Sequence, residues 1–342
     1  MKKTTKYAGW VLLIVLLAAF TFFFVGGNEP REDILWGANF SHAHAEELGL
    51  DWQETFLALL NDLEVKRLKI ITQWNLLEPE RNSFDFEAVD WQIKEAEKRG
   101  VDVFLVLGMK TPRFPECHLP HWAADFSEKD REEAVLEFLR ASVEHFKNSP
   151  AIWAWQIENE PLFPFGECPE ISKDFWRKEI DLVKTLDPAR PVITTDSGEL
   201  SLWFNAARLG DVVGVTLYRK VWFEELGVYA TYPLPPVFYG RKARLVKKLF
   251  GKDVINVELQ AEPWGPTLLY DSPPEEQAKT MNPERFKKIV NYAKKTGLGE
   301  FYFWGAEWWY SLKLKGEEEI WKEAGGLFQE QPPEVAPHSR QV

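Results

Sequence analysis

Short β-branched or aromatic runs alternate with amphipathic, charged stretches from about residue 34 to residue 325. Eight runs have the length and composition of strands: 34–40, 68–73, 101–108, 152–157, 192–195, 212–218, 254–258 and 301–304. Helical periodicity lies between them, for example over 89–99, 131–146 and 283–295. This alternation predicts a single-domain (β/α)8 barrel, with active-site groups just beyond the carboxyl ends of the strands. A doubly wound open sheet is the alternative, but no glycine-rich phosphate loop opens any of the helices.

The first 28 residues do not follow this pattern. Residues 8–25 form an uncharged, mostly apolar run, and Lys2, Lys3 and Lys6 precede it. This predicts a transmembrane signal-anchor helix with its amino terminus in the cytoplasm, or alternatively a cleaved signal peptide. We therefore expect a single-pass protein of the cell membrane whose barrel is extracytoplasmic, or a secreted protein if the signal is cleaved. The expected domains are 1–28 (basic stub and anchor), 29–328 (barrel) and 329–342 (a Pro-rich, polar, disordered tail).

Charge and cysteine content exclude several classes of protein. The 342 residues carry 53 acidic and 41 basic side chains, a net charge of −12, which argues against nucleic acid as a partner. Two cysteines are too few for a disulfide scaffold or a four-cysteine zinc site. Cys117 and Cys168 fall after the third and fourth predicted strands, which are neighbours in a barrel. They could form a disulfide in an oxidising compartment, and two free buried thiols are the alternative.

Two predicted strand ends carry carboxylates. Asn159 and Glu160 follow the fourth strand and precede a proline, and Glu258 ends the seventh. Glycoside hydrolysis needs two carboxyl groups, one to protonate the leaving oxygen and one to attack the acetal carbon or activate water. Solvated loop residues or a structural ion pair are the alternative interpretation. The position of both glutamates at strand ends favours glycoside hydrolysis.

With these motifs the chain resembles the clan of retaining (β/α)8 glycoside hydrolases that includes cellulases, mannanases and β-galactosidases. The resemblance covers about residues 34–325 and implies that Glu160 is the acid/base and Glu258 the nucleophile, with carboxyl groups about 5–5.5 Å apart. It further implies that Asn159 hydrogen-bonds the sugar 2-hydroxyl, that Tyr218 hydrogen-bonds the nucleophile and that Trp304 floors the sugar subsite. The implied substrate is an oligo- or polysaccharide with β-linked O-glycosidic bonds. We expect a monomer without a cofactor, in contact with a membrane only through its amino-terminal segment.

One position departs from this clan. Its members usually have an arginine on the second strand that contacts the nucleophile, and the spacing places Lys69 there, with Arg67 two residues earlier on the same face. Either Lys69 substitutes, or the register is shifted and Arg67 serves. A lysine keeps the charge but lacks the planar fork of arginine. A barrel that binds glycans without cleaving them is therefore the alternative function.

Other carboxylates near the strand ends have predicted supporting roles. Glu158 precedes Glu160 by two residues and is expected on the same strand face, as a buried hydrogen-bonding partner below the barrel mouth. Glu262, followed closely by Trp264, is predicted to lie in a loop that contacts sugar hydroxyls. Glu307 is predicted to do the same.

The histidines offer a rival chemistry. His42 and His44 follow the first strand, and a His-x-His motif there also opens the barrels of metal-dependent amidohydrolases. Such a site needs further histidines after later strands, and none lies near the fifth or sixth. We therefore predict no metal site. We expect one of the two, His42 in our assignment, to hydrogen-bond substrate hydroxyls.

Tryptophan is unusually frequent, with 16 residues. Eight of them lie in or just beyond predicted strand ends: Trp36, Trp74, Trp122, Trp155, Trp264, Trp304, Trp308 and Trp309. Sugars stack their C–H faces on flat rings, so a carbohydrate cleft would use such residues. We expect about half of them to line the cleft and the rest to pack in the core.

Overall fold

The computed structural model describes residues 2–330. Numbered along the chain, its strands are β1 (Leu35–Phe40), β2 (Arg67–Ile71), β3 (Asp102–Leu107), β4 (Ile152–Ile157), β5 (Val192–Asp196), β6 (Val212–Leu217), β7 (Lys220–Phe223), β8 (Val228–Thr231), β9 (Asp253–Gln260) and β10 (Glu300–Trp304). All except β7 and β8 pair in parallel and close into a barrel in chain order, with β10 next to β1. The predicted single-domain (β/α)8 barrel is confirmed.

Helices surround the barrel, and several begin at a side chain that caps their free backbone N–H groups. They are α1 (Lys2–Phe24), α2 (His42–Glu47), α3 (Trp52–Asn61), α4 (Trp74–Leu77), α5 (Glu87–Glu97), α6 (Glu128–Phe146), α7 (Lys173–Leu186), α8 (Phe204–Leu209), α9 (Pro236–Phe250), α10 (Pro274–Gln277), α11 (Pro283–Lys294), α12 (Ala306–Leu314) and α13 (Glu319–Gln329). Ser127, Ser172 and Asn282 accept hydrogen bonds at the starts of α6, α7 and α11. These caps fix where the long charged helices begin.

The interior of the barrel is filled by side chains, in contrast to a pore. Phe104, Trp153 and Tyr302 are among the buried residues of its apolar cluster. Polar residues also point inward: the Asn39 Nδ2 group donates to three main-chain carbonyls, and Arg67 contacts Glu300. Apolar packing and polar contacts therefore both hold the strands together from inside the barrel.

Two regions differ from the sequence-based expectation. The antiparallel hairpin β7–β8 was not predicted, and β9 runs to Gln260, two residues beyond the predicted end at Glu258. The hairpin follows β6 directly and lies outside the barrel sheet. It therefore belongs to the loops that follow the carboxyl ends of the strands.

The predicted anchor and the predicted tail lie at the two ends of the chain. Between residues 2 and 330, no helix is both long enough and apolar enough to cross a membrane, so the predicted anchor is not confirmed. The predicted tail falls outside the described residues, apart from Gln329, which ends α13, and Glu330.

Candidate active site

Glu258 lies near the carboxyl end of β9, and both of its oxygens have partners. Lys69 Nζ of β2 lies 2.7 Å from Oε1, and the Tyr218 hydroxyl donates to Oε2 at 2.9 Å. Lys69 is completely buried, and burial lowers its pKa against the opposing effect of the Glu258 charge. Arg67 points instead towards Asp102 and Glu300. Of the two alternatives left open by the sequence, Lys69 is therefore the residue that contacts Glu258.

Glu160 lies beyond the end of β4 in a different environment. It is 7% exposed, its Oε1 accepts from the Thr216 hydroxyl at 3.1 Å, and its main-chain N–H donates to the Thr195 hydroxyl at 2.8 Å. Burial raises the pKa of Glu160 well above its usual range, and the charges of Glu116 and Glu258 raise it further. Glu160 is thus suited to carry a proton, whereas Glu258 sits beside a cation. Carboxyl groups in such contrasting environments are typical of an acid and nucleophile pair.

Glu158 and Glu160 do not share a strand face, so that expectation is wrong. β4 ends at Ile157, and the two glutamates follow with φ of 61° and 43°, in the left-handed region. Because of this turn, Glu158 points towards the β3 loop, where it accepts from the N–H groups of Met109 at 2.9 Å and Lys110 at 2.6 Å. The predicted buried hydrogen-bonding role of Glu158 is confirmed.

Glycine at position 108 makes this contact possible. A Cβ atom on Gly108 would lie 2.5 Å from the Glu158 carboxyl carbon, and its φ of 144° is unfavourable for other residues. Behind Glu158 lies Glu179 of α7, whose pKa is raised well above its usual range by burial and by the Glu158 charge. A pair of buried carboxyls therefore supports the turn that carries Glu160.

Arg113, in the loop after β3, joins the residues predicted for sugar contacts. Its Nη1 donates to Glu262 Oε1, and its Nη2 lies 3.2 Å from Glu307 Oε2. The guanidinium also lies over Trp304, with Cζ 4.0 Å from the ring centroid. All four side chains are more than nine-tenths buried. Arg113 thus holds three predicted site residues together, a role that the sequence analysis did not identify.

The two histidines that follow β1, both in α2, have different neighbours. The His42 ring lies 5.7 Å from the Trp52 ring, whereas His44 Nε2 lies 3.8 Å from Glu262 Oε2. Burial lowers the pKa of His44 to about 3, so this ring is neutral. His44, in contrast to the assigned His42, therefore contacts the Arg113 cluster. Within residues 2–330, no group of three or more His, Cys, Asp or Glu side chains is arranged to hold a metal ion.

Asn159 directly precedes Glu160 in the sequence, and Trp264 follows Glu258. Asn159 Nδ2 donates to Glu116 Oε1 at 3.4 Å, a partner that the sequence analysis missed. The Trp264 ring packs edge-on against Tyr218, with ring centroids 5.2 Å apart, and also contacts Phe165. Trp264 therefore buttresses the tyrosine that holds Glu258.

Cys117 and Cys168 form a disulfide with their Cα atoms 4.8 Å apart. The bond joins the loop after β3 to the loop after β4, so it fastens the segment of Arg113 and Glu116 to the segment that follows Glu160. It lies beside the candidate site without entering it.

The expected distribution of tryptophans is wrong in its proportions. Six of the eight candidates are less than 9% exposed: Trp36, Trp74, Trp155, Trp304, Trp308 and Trp309. Several use their indole N–H inside the fold, as Trp309 does on the Ala261 carbonyl. Strand-end tryptophans mostly pack between the sheet and the helices, whereas Trp304 and Trp264 contact the candidate catalytic or binding residues.

Gln260, the last residue of β9, connects the site to the hairpin. Its Oε1 accepts from the N–H groups of Arg219 and Lys220 at 2.8 and 3.0 Å, and its Nε2 donates to the Lys220 carbonyl. Its position two residues after Glu258, on the same strand face, is the signal that could have found it.

Comparisons with known proteins find similarities to glycoside hydrolases. Residues 91–258 match the model of the family described as glycosyl hydrolases family 2, TIM barrel domain. A stretch of 121 residues is 26% identical to the probable mannan endo-1,4-beta-mannosidase A-1 of Aspergillus terreus (strain NIH 2624 / FGSC A1156) and covers 33% of this chain. The chain spans only 30% of the length of that relative.

Solved structures share the fold at low identity. Xylanase 10B from Thermotoga petrophila RKU-1, in complex with xylobiose, is 16% identical with a TM-score of 0.55, over 80% of this chain and 83% of its own. A GH5_18 from Bifidobacterium longum subsp. infantis is 13% identical with a TM-score of 0.59, over 89% of this chain and 80% of its own. These similarities show that the barrel has the clan A (β/α)8 fold, and that its segment 91–258 is similar to the TIM barrel domain of glycosyl hydrolases family 2.

Proposed function

We propose that this protein is a retaining glycoside hydrolase that cleaves β-linked O-glycosidic bonds with Glu160 and Glu258. The observation that carries the proposal is the contrast between the two carboxyl groups. Glu258 is paired with a buried cation and a tyrosine hydroxyl, whereas burial raises the pKa of Glu160. One group is thus prepared to attack as an anion and the other to deliver a proton.

The proposed reaction has two displacements. In the first, Glu258 Oε attacks the anomeric carbon, the bond to the leaving oxygen breaks, and Glu160 gives its proton to that oxygen. In the second, Glu160 takes a proton from water, the water oxygen attacks the anomeric carbon, and the Glu258 ester bond breaks. Lys69 and Tyr218 orient Glu258 for the attack. They stabilise its negative charge again when the ester is cleaved. The carboxyl separation of about 5–5.5 Å that this mechanism requires stays a prediction.

The substrate is proposed only as a class. A polysaccharide or oligosaccharide fits the polar cluster of Arg113, Glu262 and Glu307 beside Trp304. The mannanase relative makes β-mannosides the first substrates to test. β-Glucosides, β-galactosides and β-xylosides complete the panel.

Activated aryl β-glycosides test the mechanism directly. We expect the wild type to release a burst of the phenol, and Glu258→Gln to release none. Glu160→Gln should form the glycosyl-enzyme from an activated aryl glycoside but hydrolyse it slowly, and azide should accelerate turnover and yield a β-glycosyl azide. Glu167→Gln, an exposed glutamate on the neighbouring loop, is the matched control and should behave like wild type. Glycan binding without turnover across the panel would refute the hydrolase and favour a glycan-binding barrel.

We also propose that the barrel works in an oxidising compartment outside the cytoplasm. The disulfide between Cys117 and Cys168 supports this location, because cytosolic proteins rarely keep such bonds. The membrane anchor remains a prediction from the sequence. Fractionation of cells, with protease protection of intact cells, tests both points.

A further inference from the structure

Glu116 is a third carboxyl group at the candidate site, and the proposed double displacement does not use it. It lies in the loop after β3, three residues beyond Arg113, and is 8% exposed. Its Oε1 accepts from Asn159 Nδ2 at 3.4 Å, while Oε2 has no hydrogen-bond partner and lies 3.9 Å from Lys110 Nζ. A buried polar atom without a partner needs an explanation, and beside the candidate catalytic residues a bound substrate group would supply it.

The fold holds Glu116 in this position at some cost. Its φ is 66°, in the left-handed region where a residue with a side chain is disfavoured. The turn is fastened on both sides by main-chain hydrogen bonds, from Glu116 N to Arg113 O and from Thr111 N to Glu116 O, and by the disulfide at Cys117. Such over-determined strain is typical of functional positions.

The opposite loop is shaped to receive this turn. A Cβ atom on Gly166 would lie 2.8 Å from the Pro115 carbonyl oxygen and 2.9 Å from Glu116 Cβ. The Glu167 N–H donates to the same Pro115 carbonyl at 2.9 Å. The loop after β4 therefore packs directly on Glu116, whose Oε1 meets the Asn159 amide.

We propose that Glu116 binds the sugar 2-hydroxyl together with Asn159: Oε1 orients the Asn159 amide, and Oε2 donates to the same hydroxyl. This inference rests on the proposed function and on the sequence-based expectation that Asn159 contacts that hydroxyl. A hydroxyl oxygen can accept two hydrogen bonds, so one donor from each residue satisfies it. Contacts to this hydroxyl strengthen in the transition state of glycoside hydrolysis, so Glu116 acts on the chemical step as well as on binding.

The electrostatic surroundings are consistent with a donor at Oε2. Burial is the largest influence and raises the pKa of Glu116 to about 8, the Glu258 charge also raises it, and Lys110 and Lys69 oppose the rise. Burial also raises the pKa of Glu160, the other facing carboxyl, well above its usual range. Glu116 therefore holds its proton in neutral solution and loses it as the pH rises through about 8.

The test compares an aryl β-glycoside with its 2-deoxy analogue in the full-length protein. We define the 2-hydroxyl preference as the ratio of the two kcat/KM values, because effects of Glu160 or Glu258 on both substrates cancel in it. Glu116→Ala should lower this preference about tenfold, the effect of one lost hydrogen bond and a released Asn159 donor, with kcat falling more than KM rises. Glu116→Gln keeps one acceptor and one donor in the same places and should keep the preference within about threefold at pH 7.

The pH dependence separates this role from a merely structural one. The wild-type preference should fall as the pH rises from 7 to 9, whereas the preference of Glu116→Gln should stay flat, because an amide does not ionise. Glu167→Gln is again the control and should follow the wild type. A preference that Glu116→Ala leaves unchanged, or that Glu116→Gln loses as fully as Glu116→Ala, overturns the inference.

A failure of the proposed function is recognisable separately. If the wild type turns over neither glycoside, binding replaces turnover: tryptophan fluorescence then gives the dissociation constants of both glycosides for wild type and Glu116→Ala. The informative ratio is the dissociation constant of the 2-deoxy analogue divided by that of the parent glycoside. An equal ratio in both proteins overturns the role of Glu116. A smaller ratio in Glu116→Ala supports it, whether or not the barrel is a hydrolase.

Discussion

The buried pair of Lys69 and Glu258 allows a quantitative test of the site. Lys69 is fully buried, the Glu258 side chain is 5% exposed, and the charged atoms are 2.7 Å apart. Lys69→Met keeps the length of the aliphatic chain but removes the charge, and leaves Glu258 with only the Tyr218 hydroxyl. Breaking a buried ion pair on one side costs about 3–5 kcal/mol, because the remaining charge is uncompensated. We expect the free energy of unfolding to fall by that amount at pH 7.

A double-mutant cycle assigns this loss to the pair. Glu258→Gln leaves the lysine uncompensated and should also destabilise the barrel, but Lys69→Met combined with Glu258→Gln should recover part of the loss. The expected coupling energy is at least about 2 kcal/mol, near the upper end for residues in contact. Urea unfolding followed by tryptophan fluorescence measures all four proteins, with equal m-values as the check that the unfolded states are comparable.

Two results would refute this reasoning. Lys69→Met within about 1 kcal/mol of the wild type would mean that Glu258 is not held as a buried anion. Additive single effects would mean that the two groups do not interact. Lys69→Arg gives a further check: the bulkier guanidinium in a fully buried position should cost about 1–3 kcal/mol, so restoring the usual arginine should not improve the protein.

Three further predictions address other parts of the site. Tyr218→Phe removes the hydroxyl bound to Glu258 and should lower kcat/KM about tenfold or more on an aryl β-glycoside, with an unchanged near-UV circular dichroism spectrum because the packing on Trp264 remains; equal kinetics would exclude the contact from catalysis. Glu179→Gln removes a carboxyl whose folded pKa is raised, so as the pH rises above about 4.5 the wild type should lose more stability than the variant, which keeps the other buried carboxyls; a Tm difference that is constant with pH would contradict this linkage. Replacing both Cys117 and Cys168 by serine opens a loop closed over 51 residues and should cost about 2–4 kcal/mol, measured by urea unfolding against the oxidised wild type; a loss that reduction of the wild type does not reproduce would assign the effect to the serines.

The barrel could be predicted from the sequence because the patterns that indicate its strands and helices are local. Each strand is a short apolar run and each helix has its own periodicity, so the alternation alone indicates the fold. Glu160 and Glu258 could be located for the same reason, since a strand end is visible along the chain. The choice of Lys69 over Arg67 needed the structure, because the two residues share a strand face and only their partners, Glu258 and Glu300, distinguish them.

The Arg113 cluster could not be predicted in this way. Arg113 is 149 residues from Glu262 and 194 from Glu307, and two loops and the first turn of α12 must come together before the contacts exist. The division of the tryptophans between cleft and core could not be predicted for a related reason. A residue at a strand end can point outward to the helices or inward to the barrel mouth, and a shift of one position reverses its direction. Trp155, for example, donates to Asp187 behind the sheet.

The contact between Gln260 and the hairpin β7–β8 has a consequence for how such an enzyme can change. The hairpin is a two-stranded ribbon whose tip turns at Gly227, and the amide of Gln260 fastens its base to the strand of Glu258. Residues can be inserted at an exposed tip without moving a paired base. The ribbon could therefore be lengthened, shortened or exchanged to alter what approaches the barrel mouth, while Glu258, Lys69 and Tyr218 keep their positions.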